Sequence, residues 1–204
     1  MARTKVVGLV VEGPTEYSAV PFLLRRLGIR HTTPSSINGQ SVQAPLGDLV
    51  KYRLLKHVLV QLSKNADLVV VVLDVEERPM SSEQFSGALC REIRKQVTRE
   101  KGRQAASKVE VVACMRRFEN WLIADPKGLA RCAWIVKDLS KAVACHADDH
   151  DAVALLTGAM GKGVGYRKAY HGPKLAQFVR VEQEKAGNKL CSISLRKFIQ
   201  IVTA

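Results

Sequence analysis

Residues 67–77 read Asp-Leu-Val-Val-Val-Val-Leu-Asp-Val-Glu-Glu, a continuous apolar run that ends abruptly in acidic residues. A short run of β-branched residues with no polar residue inside it is typical of a strand buried on both faces, as parallel sheets require. We therefore predict a central strand over residues 67–73, directly followed by Asp74. The acids at the end of this strand are the first candidate functional residues.

Similar strands occur on both sides of this segment along the chain. Upstream, the apolar run Val6–Val11 ends at Glu12 and is followed by a Gly-Pro turn and a helical pattern. Residues 31–47 lack periodicity, which predicts a loop with one short extended segment at 41–43. Downstream, a long basic helix leads to the β-branched strand Val109–Cys114. This alternation predicts an α/β fold, a mostly parallel sheet with helices on both faces.

The pattern of the chain changes near residue 126. Residues 1–126 contain the predicted strands of the sheet, whereas residues 127–204 carry helical patterns and a glycine-rich basic loop at 158–173. A chain of 204 residues is long enough for one well-packed domain and short for two. We therefore predict an α/β domain over 1–126 and a C-terminal helical extension over 127–204 that packs on it.

The composition limits the class of partner and the compartment. With 32 Lys and Arg against 19 Asp and Glu, the formal net charge is +13, which favours polyanionic partners because each neutralised phosphate releases counterions. The cysteines are odd in number and include no CxxC pair, which argues against a disulfide framework and a structural zinc site. No apolar stretch approaches the roughly 18 residues that span a bilayer. We expect a soluble, cytoplasmic protein without membrane association.

Acidic side chains follow three of the predicted strands. Glu12 follows the first strand, Asp74 and Glu76 follow the second, and Glu119 comes shortly after the third. Ligands of open α/β sheets bind beyond the carboxyl ends of the strands, so these acids are expected to lie close together. Clustered carboxylates repel each other unless a cation compensates them, and Mg²⁺ prefers oxygen ligands. The pattern predicts a Mg²⁺ (or Mn²⁺) site that handles phosphates. Ordinary turn-forming and helix-capping acids are the alternative.

Three motifs carry a family resemblance. They are Val-Glu-Gly-Pro-Thr-Glu at 11–16, Leu-Asp-Val-Glu at 73–76 and Phe-Glu-Asn-Trp-Leu-Ile-Ala-Asp at 118–125. The first is similar to the E-G-x-T-E signature of Toprim-like domains, and the second stands where that fold carries D-x-D. The third resembles the E-x-W-L-x-A-D signature of an uncharacterised bacterial family that is related to the OLD-type Toprim nucleases. Genes of that family often lie beside an ATPase of the ABC or SMC type, in a setting suggestive of phage defence.

The resemblance implies a role for each acid. Glu12 matches the Toprim glutamate that acts as general acid or base or completes the metal coordination, and Asp74 and Glu76 match the metal-binding pair. Glu119 is implied as a further site carboxylate. Glu76 replaces an Asp of the family motif and extends one methylene farther, and Glu77 is an alternative ligand.

Other residues of these motifs are expected to be structural. Pro14 suits the first turn of a helix, which Thr15 is expected to cap. Glu16 is expected to interact with the dipole of the same helix rather than with a metal. Trp121 is expected to be a packing residue.

Two basic segments are candidate contacts to nucleic acid. The helix after the second strand carries Arg94 and Lys95, and the glycine-rich loop region carries Lys162, Arg167 and Lys168. Cations of this kind follow a phosphate backbone, and beside an acidic site they would offset its repulsion of the substrate. A solvated surface is the alternative for both segments.

These observations predict a Mg²⁺-dependent nuclease that hydrolyses phosphodiesters of DNA or RNA. The resemblance places it in a bacterial defence system with an ABC- or SMC-type ATPase partner. The alternative is a non-catalytic subunit whose Toprim-like fold docks onto an ATPase or onto nucleic acid.

Overall fold

The structure, a computed structural model, describes residues 5–38, 44–75, 80–144, 146–187 and 189–204. The extended segment predicted at 41–43 and the two acids Glu76 and Glu77 lie outside the described residues.

The described strands form one parallel sheet. They are β1 (Val6–Val11), β2 (Arg30–His31), β3 (Ser35–Ser36), β4 (Leu68–Asp74) and β5 (Val109–Cys114). Their order is β2-β1-β4-β5, with β3 also paired to β1, and each pairing is parallel. The predicted α/β class and the three long strands are confirmed. The two short strands fall in the predicted loop because two residues are too few to produce a periodic pattern.

The helices before the third long strand carry the chain between strands. They are α1 (Pro14–Arg26), α2 (Leu46–Leu49), a π-helical segment (Val50–Leu54), α3 (Leu55–Ser63), α4 (Ser82–Lys101) and α5 (Arg103–Ala106). Pro14 occupies the first helical position of α1, as predicted. Gly28 follows the end of α1 with a φ of 72°, a left-handed conformation that glycine adopts without strain.

The helices after β5 are mostly short. They are α6 (Glu119–Leu122), α7 (Pro126–Leu129), α8 (Ser140–Val143), a 3₁₀ turn (Ala147–Asp149), α9 (Ala152–Ala159), α10 (Lys168–Ala176), α11 (Glu182–Lys185) and α12 (Ile193–Thr203). Within the described ranges, we find no helix with both the length and the apolar character needed to cross a membrane.

Helices cover both faces of the sheet because the strands are apolar on both sides. Val69, Val71 and Leu73 of β4 belong to a core with the apolar residues of α3 and α4. The alternate residues Val70 and Val72 belong to a second core with α1. This alternation follows from the two-residue period of a strand.

The C-terminal helices extend the core on the α1 face. Leu175 of α10 and Phe198 of α12 are fully buried in the same core cluster as β1 and α1. Helix α10 approaches α1 closely, because a Cβ atom added at Gly172 would lie only 2.4 Å from Cγ2 of Thr15. The residues after 126 therefore share a core with the sheet, and α10 comes near the start of α1.

The order of the strands reverses at β1. From β1 the chain moves to β2 and β3 on one side, and it then returns to β4 on the other side. At such a switch point the connections leave the sheet on opposite faces, which opens a crevice beyond the carboxyl ends of the strands. Glu12, which follows β1, and Asp74, which ends β4, lie at this crevice.

Candidate functional site

Glu12 and Asp74 are in direct contact, as their positions after neighbouring strands predicted. The carboxylate Oε2 of half-buried Glu12 accepts a hydrogen bond from the backbone N–H of Asp74 at 2.9 Å. The hydroxyl of Ser36 on β3 donates to the backbone carbonyl of Glu12 at 3.3 Å. The ends of three strands are thus linked around these two acids.

Asp74 carries the most perturbed carboxyl group of the crevice. Its side chain is 6% exposed, and among the described residues its Oδ1 has no hydrogen-bond partner. Burial raises the pKa of Asp74 well above its usual value, and the negative charges of Glu16, Glu12 and Glu119 raise it further. A buried carboxylate oxygen without a donor is costly unless a proton or a cation compensates it.

Glu16 has a structural contact and also contributes charge to the crevice. Its Oε2 accepts the backbone N–H of Gly13 at 2.9 Å, which confirms the expected role at the start of α1. Burial raises the pKa of Glu16, and Glu119 adds to the effect. The predicted capping role of Thr15 is wrong, because α1 begins at Pro14 and Thr15 is already inside its first turn.

Glu119 is the fourth carboxylate of this group and is only 1% exposed. The hydroxyl of Tyr166 donates to its Oε1 at 3.3 Å, and the ammonium of Lys168 lies 3.6 Å from its Oε2. Burial raises the pKa of Tyr166 and the charge of Glu119 raises it further, so the phenol stays protonated and donates. Glu12, Glu16, Asp74 and Glu119 are hereafter the acidic cluster.

Tyr166 had not been identified as a site residue from the sequence. Tyr166 and Glu119 are 47 positions apart, so no local pattern of the sequence links them. Tertiary packing of the C-terminal helices brings them together. That contact gives the acidic cluster a donor and a cation from outside the α/β core.

The basic residues in and before α10 lie on the surface, and one of them contacts the acidic cluster. Lys168 has a side chain that is 48% exposed although it pairs with Glu119. Arg167 is exposed, with its guanidinium carbon 4.8 Å from the centroid of the Tyr170 ring. Lys162 is exposed in the loop that precedes α10. The structure therefore places Lys168 at the acidic cluster and Arg167 at Tyr170.

Arg94 lies elsewhere and has a structural role. Its Nε donates to the carbonyl of Val109 at 2.9 Å, and its Nη2 pairs with Glu110 at 2.6 Å. Ser86, near the start of α4, contacts Ala113 near the end of β5, whereas Arg94 contacts Val109 at the start of the strand. Helix α4 therefore runs antiparallel to β5. Arg94 is therefore at the amino end of the sheet, away from the acidic cluster.

Lys95 follows Arg94 on the same helix and pairs with Glu92 at 3.7 Å. The expectation that these two cations offset the charge of the acidic site is wrong, because α4 begins near the carboxyl end of β5 and carries its basic half away from the crevice. Binding of nucleic acid by Arg94 and Lys95 stays a prediction.

The rest of the third motif is structural. Trp121 is fully buried and donates from Nε1 to the hydroxyl of Ser194 at 2.8 Å, which confirms its packing role. Asp125 accepts two hydrogen bonds from the guanidinium of Arg180, each of 2.7 Å. Only Glu119 of this motif therefore reaches the acidic cluster.

Two carboxylate oxygens of the crevice are of the kind that a hard divalent cation prefers as ligands. Asp74 and Glu119 each have a buried oxygen that lacks a hydrogen bond within the described residues. Mg²⁺ usually takes one or two carboxylates and completes its shell with water and substrate phosphate. Across the described ranges, no group of three or more His, Cys, Asp or Glu side chains is placed so that it could hold a metal ion.

The fold and the crevice define an α/β protein with an acidic cluster at a topological switch point. Residues 11–191 match the family described as Domain of unknown function (DUF4276), and the chain belongs to this family. Comparison with curated proteins and with solved structures gives no match.

Proposed function

We propose that this protein is a Mg²⁺-dependent nuclease that hydrolyses phosphodiesters of DNA or RNA. The observation that carries the proposal is Oδ1 of Asp74, a buried oxygen without a described partner on a carboxylate that also feels the charges of Glu12, Glu16 and Glu119. A divalent cation would compensate this charge and leave positions for a phosphate. The net charge of +13 favours a polyanionic substrate.

The residues that would hold the ion are Asp74 and Glu119, since each has a buried carboxylate oxygen without a hydrogen bond. Glu12 is a third candidate ligand. Glu76, which lies outside the described residues, is a fourth candidate because of its place in the motif at 73–76. When bound, such an ion activates water and stabilises the charge that develops on phosphate oxygens.

Three side chains have assigned tasks around that ion. Glu12 is half-buried and orients Asp74 through the backbone N–H, and we assign it proton transfer at the reacting oxygen. Tyr166 fixes Glu119 by donating from its phenol. Lys168, half exposed at the crevice, is positioned to neutralise the incoming phosphate.

The partner and the biological setting rest on the motifs. The similarity of the three motifs to Toprim-type proteins supports a Toprim relationship for the chain. On the same resemblance we propose that it acts with an ATPase of the ABC or SMC type in defence against phage.

A non-catalytic subunit is the second candidate, and one contact favours it. Lys168 and Tyr166 already supply Glu119 with a cation and a hydrogen-bond donor from the same chain. When the charge of Glu119 is compensated in this way, the acidic cluster depends less on a metal ion for its stability. The protein would then use its fold and its positive charge to dock onto an ATPase or nucleic acid.

Cleavage assays distinguish the two candidates. Purified protein is incubated with plasmid, single-stranded DNA and tRNA in Mg²⁺, Mn²⁺ or EDTA, alone and with a neighbouring ATPase. Asp74→Asn removes the charge of Asp74, and Asp138→Asn is the matched control because Asp138 is an exposed aspartate. We expect metal-dependent cleavage that only Asp74→Asn abolishes. Absence of cleavage under every condition would favour the docking subunit.

A further inference from the structure

Two exposed or half-buried aromatic rings pack against each other and against His171. Tyr170 of α10 is 47% exposed, and its ring centroid is 6.0 Å from that of half-buried Trp134, with 33° between the ring planes. Trp134 precedes α8 in the sequence, so two separate segments build this surface. We call Trp134 and Tyr170 the aromatic platform.

Cations flank the aromatic platform. The ammonium of Lys174 lies 3.5 Å from the centroid of Tyr170 and 5.1 Å from that of Trp134. The guanidinium of Arg167 lies over Tyr170 at 4.8 Å. Both side chains are long and at least partly exposed. The surface therefore combines flat apolar rings with movable positive charges.

His171 connects the aromatic platform to the acidic cluster. Its ring lies 5.3 Å from Trp134 and 6.0 Å from Tyr166, whose hydroxyl binds Glu119. His171 is 3% exposed, and its Nδ1 accepts the backbone N–H of Arg167 at 2.8 Å. Burial lowers the pKa of His171, and the charges of Arg167 and Lys174 lower it further. At neutral pH His171 is therefore an uncharged aromatic ring that contacts both the aromatic platform and Tyr166.

We propose that the aromatic platform binds an unpaired base, so that the substrate of the acidic cluster is single-stranded nucleic acid. Bases of a single strand stack on exposed aromatic side chains while nearby cations bind the backbone, with little dependence on sequence. A base that stacks on Tyr170 displaces Lys174 toward a phosphate, which replaces a surface cation–π contact with the stronger stacking contact. A duplex keeps its bases stacked inside and cannot use such a surface.

The placement of Lys168 extends this argument to the substrate. Lys168 lies two positions before Tyr170 and pairs with Glu119 of the acidic cluster. Residues two positions apart on a helix point in different directions, so a strand on the aromatic platform would have to extend around the start of α10 for one of its phosphates to reach Lys168. This substrate assignment rests on the proposed function, whereas binding at the platform does not.

Tryptophan fluorescence reports directly on the aromatic platform. The chain has two tryptophans, and Trp121 is fully buried, so quenching by a bound base comes from Trp134. Short single-stranded oligonucleotides are titrated in EDTA, where no cleavage occurs. We expect quenching in the wild type, none in Trp134→Phe, and affinity about tenfold weaker in Tyr170→Ala. Lys174→Gln is expected to reduce the salt slope by roughly 0.7.

Tyr52→Ala is the matched control, because Tyr52 is 61% exposed and also contacts a lysine, Lys51, at 4.9 Å. It lies on the π-helical segment at the other face of the sheet. The inference is overturned if a duplex of equal length binds as tightly as the single strand. Equal losses in Tyr170→Ala and Tyr52→Ala would overturn it too.

Failure of this inference is distinguishable from failure of the proposed function. Metal-dependent cleavage that Asp74→Asn abolishes and Tyr170→Ala leaves unchanged overturns the aromatic platform and keeps the nuclease. Single-strand binding that Tyr170→Ala weakens, in a protein that cleaves no substrate, keeps the aromatic platform and overturns the nuclease.

Discussion

At the scale of single residues, the acidic cluster lowers the stability of the folded protein. Asp74 is buried among three other carboxylates, and its Oδ1 has no partner among the described residues. Such an arrangement destabilises the folded protein in the absence of a cation, because the charged form loses hydration without gaining donors. Strained or unsatisfied groups of this kind are typical of functional sites.

Asp74→Asn is therefore expected to stabilise the metal-free protein at neutral pH. The folded state holds the proton of Asp74 more tightly than the unfolded state, so stability falls as the pH rises from the unfolded pKa through the raised folded pKa. The variant lacks this loss and should gain about 0.5–2 kcal/mol in the free energy of unfolding. Thermal unfolding in EDTA from acidic to neutral pH measures it. A variant less stable than the wild type at neutral pH would contradict the prediction.

Tyr166→Phe tests whether the contact with Glu119 serves the chemistry. The change removes the phenol that donates to Oε1 of Glu119 and keeps the ring. The bond is long for an O–H···O contact, so we expect its loss to lower the free energy of unfolding by about 1 kcal/mol. We expect the cleavage rate to fall about tenfold, because Glu119 is then less precisely held. Tyr17→Phe is the control, because Tyr17 is 37% exposed on α1. Equal activity of both variants would remove Tyr166 from the site.

At the scale of elements, the strands could be predicted from the sequence, whereas the contacts made by the C-terminal helices could not. The apolar runs of β1, β4 and β5 predicted a parallel sheet, and parallel strands bring their carboxyl ends together, so the meeting of Glu12 and Asp74 followed. The pairing of Lys168 with Glu119 depends on how α10 packs on α1 and α6. Local periodicity contains no information on such contacts.

The role of Arg94 could not be predicted from the sequence either. A cation on a basic helix suggested a surface for nucleic acid, yet its guanidinium binds the carbonyl of Val109. Ser86 accepts the N–H of Ala113, and the thiol of Cys90 lies 3.5 Å from the carbonyl of Val109. These residues, four positions apart on α4, satisfy backbone groups of β5, the last strand of the described sheet. These contacts reduce the tendency of β5 to pair with a strand of another chain.

The packing of α10 on α1 gives a prediction with an internal control. Gly172→Ala places a Cβ atom 2.4 Å from Thr15, which is expected to cost about 1–3 kcal/mol of stability and to move Lys168 away from Glu119. Gly158→Ala on α9 meets nothing within 4 Å and is expected to stabilise by up to about 1 kcal/mol through helix propensity. Denaturant unfolding compares the two. A Gly172→Ala variant as stable as Gly158→Ala would mean that the helices pack less closely.

At the scale of the whole molecule, the C-terminal helices belong to the core and to the site. Leu175, Phe198 and Val202 are buried with the residues of β1 and α1. Lys168 and Tyr166 come from the same region and complete the surroundings of Glu119. The predicted extension therefore contributes residues both to the core and to the surroundings of the acidic cluster.

Removal of residues 127–204 is therefore expected to prevent cooperative folding. The deletion exposes the α1 face of the sheet, whose core residues pack against α10 and α12 in the full chain. We expect loss of a sharp unfolding transition, with binding of a dye specific for exposed apolar surface. Circular dichroism and denaturant titration measure this against the full chain. A truncated protein with a cooperative transition would show that residues 1–126 fold alone.

Calorimetric titration of the metal-free protein with Mg²⁺ and Mn²⁺ tests the central claim most directly. We expect the wild type and Asp138→Asn to bind the ion equally, with Asp74→Asn at least about tenfold weaker, because Asp74 supplies a buried carboxylate oxygen. We also expect binding to weaken as the pH falls through the raised pKa of Asp74, since the ion and the proton compete for this carboxylate. Equal binding by Asp74→Asn and the wild type, or no binding by the wild type even with an oligonucleotide present, would contradict the account.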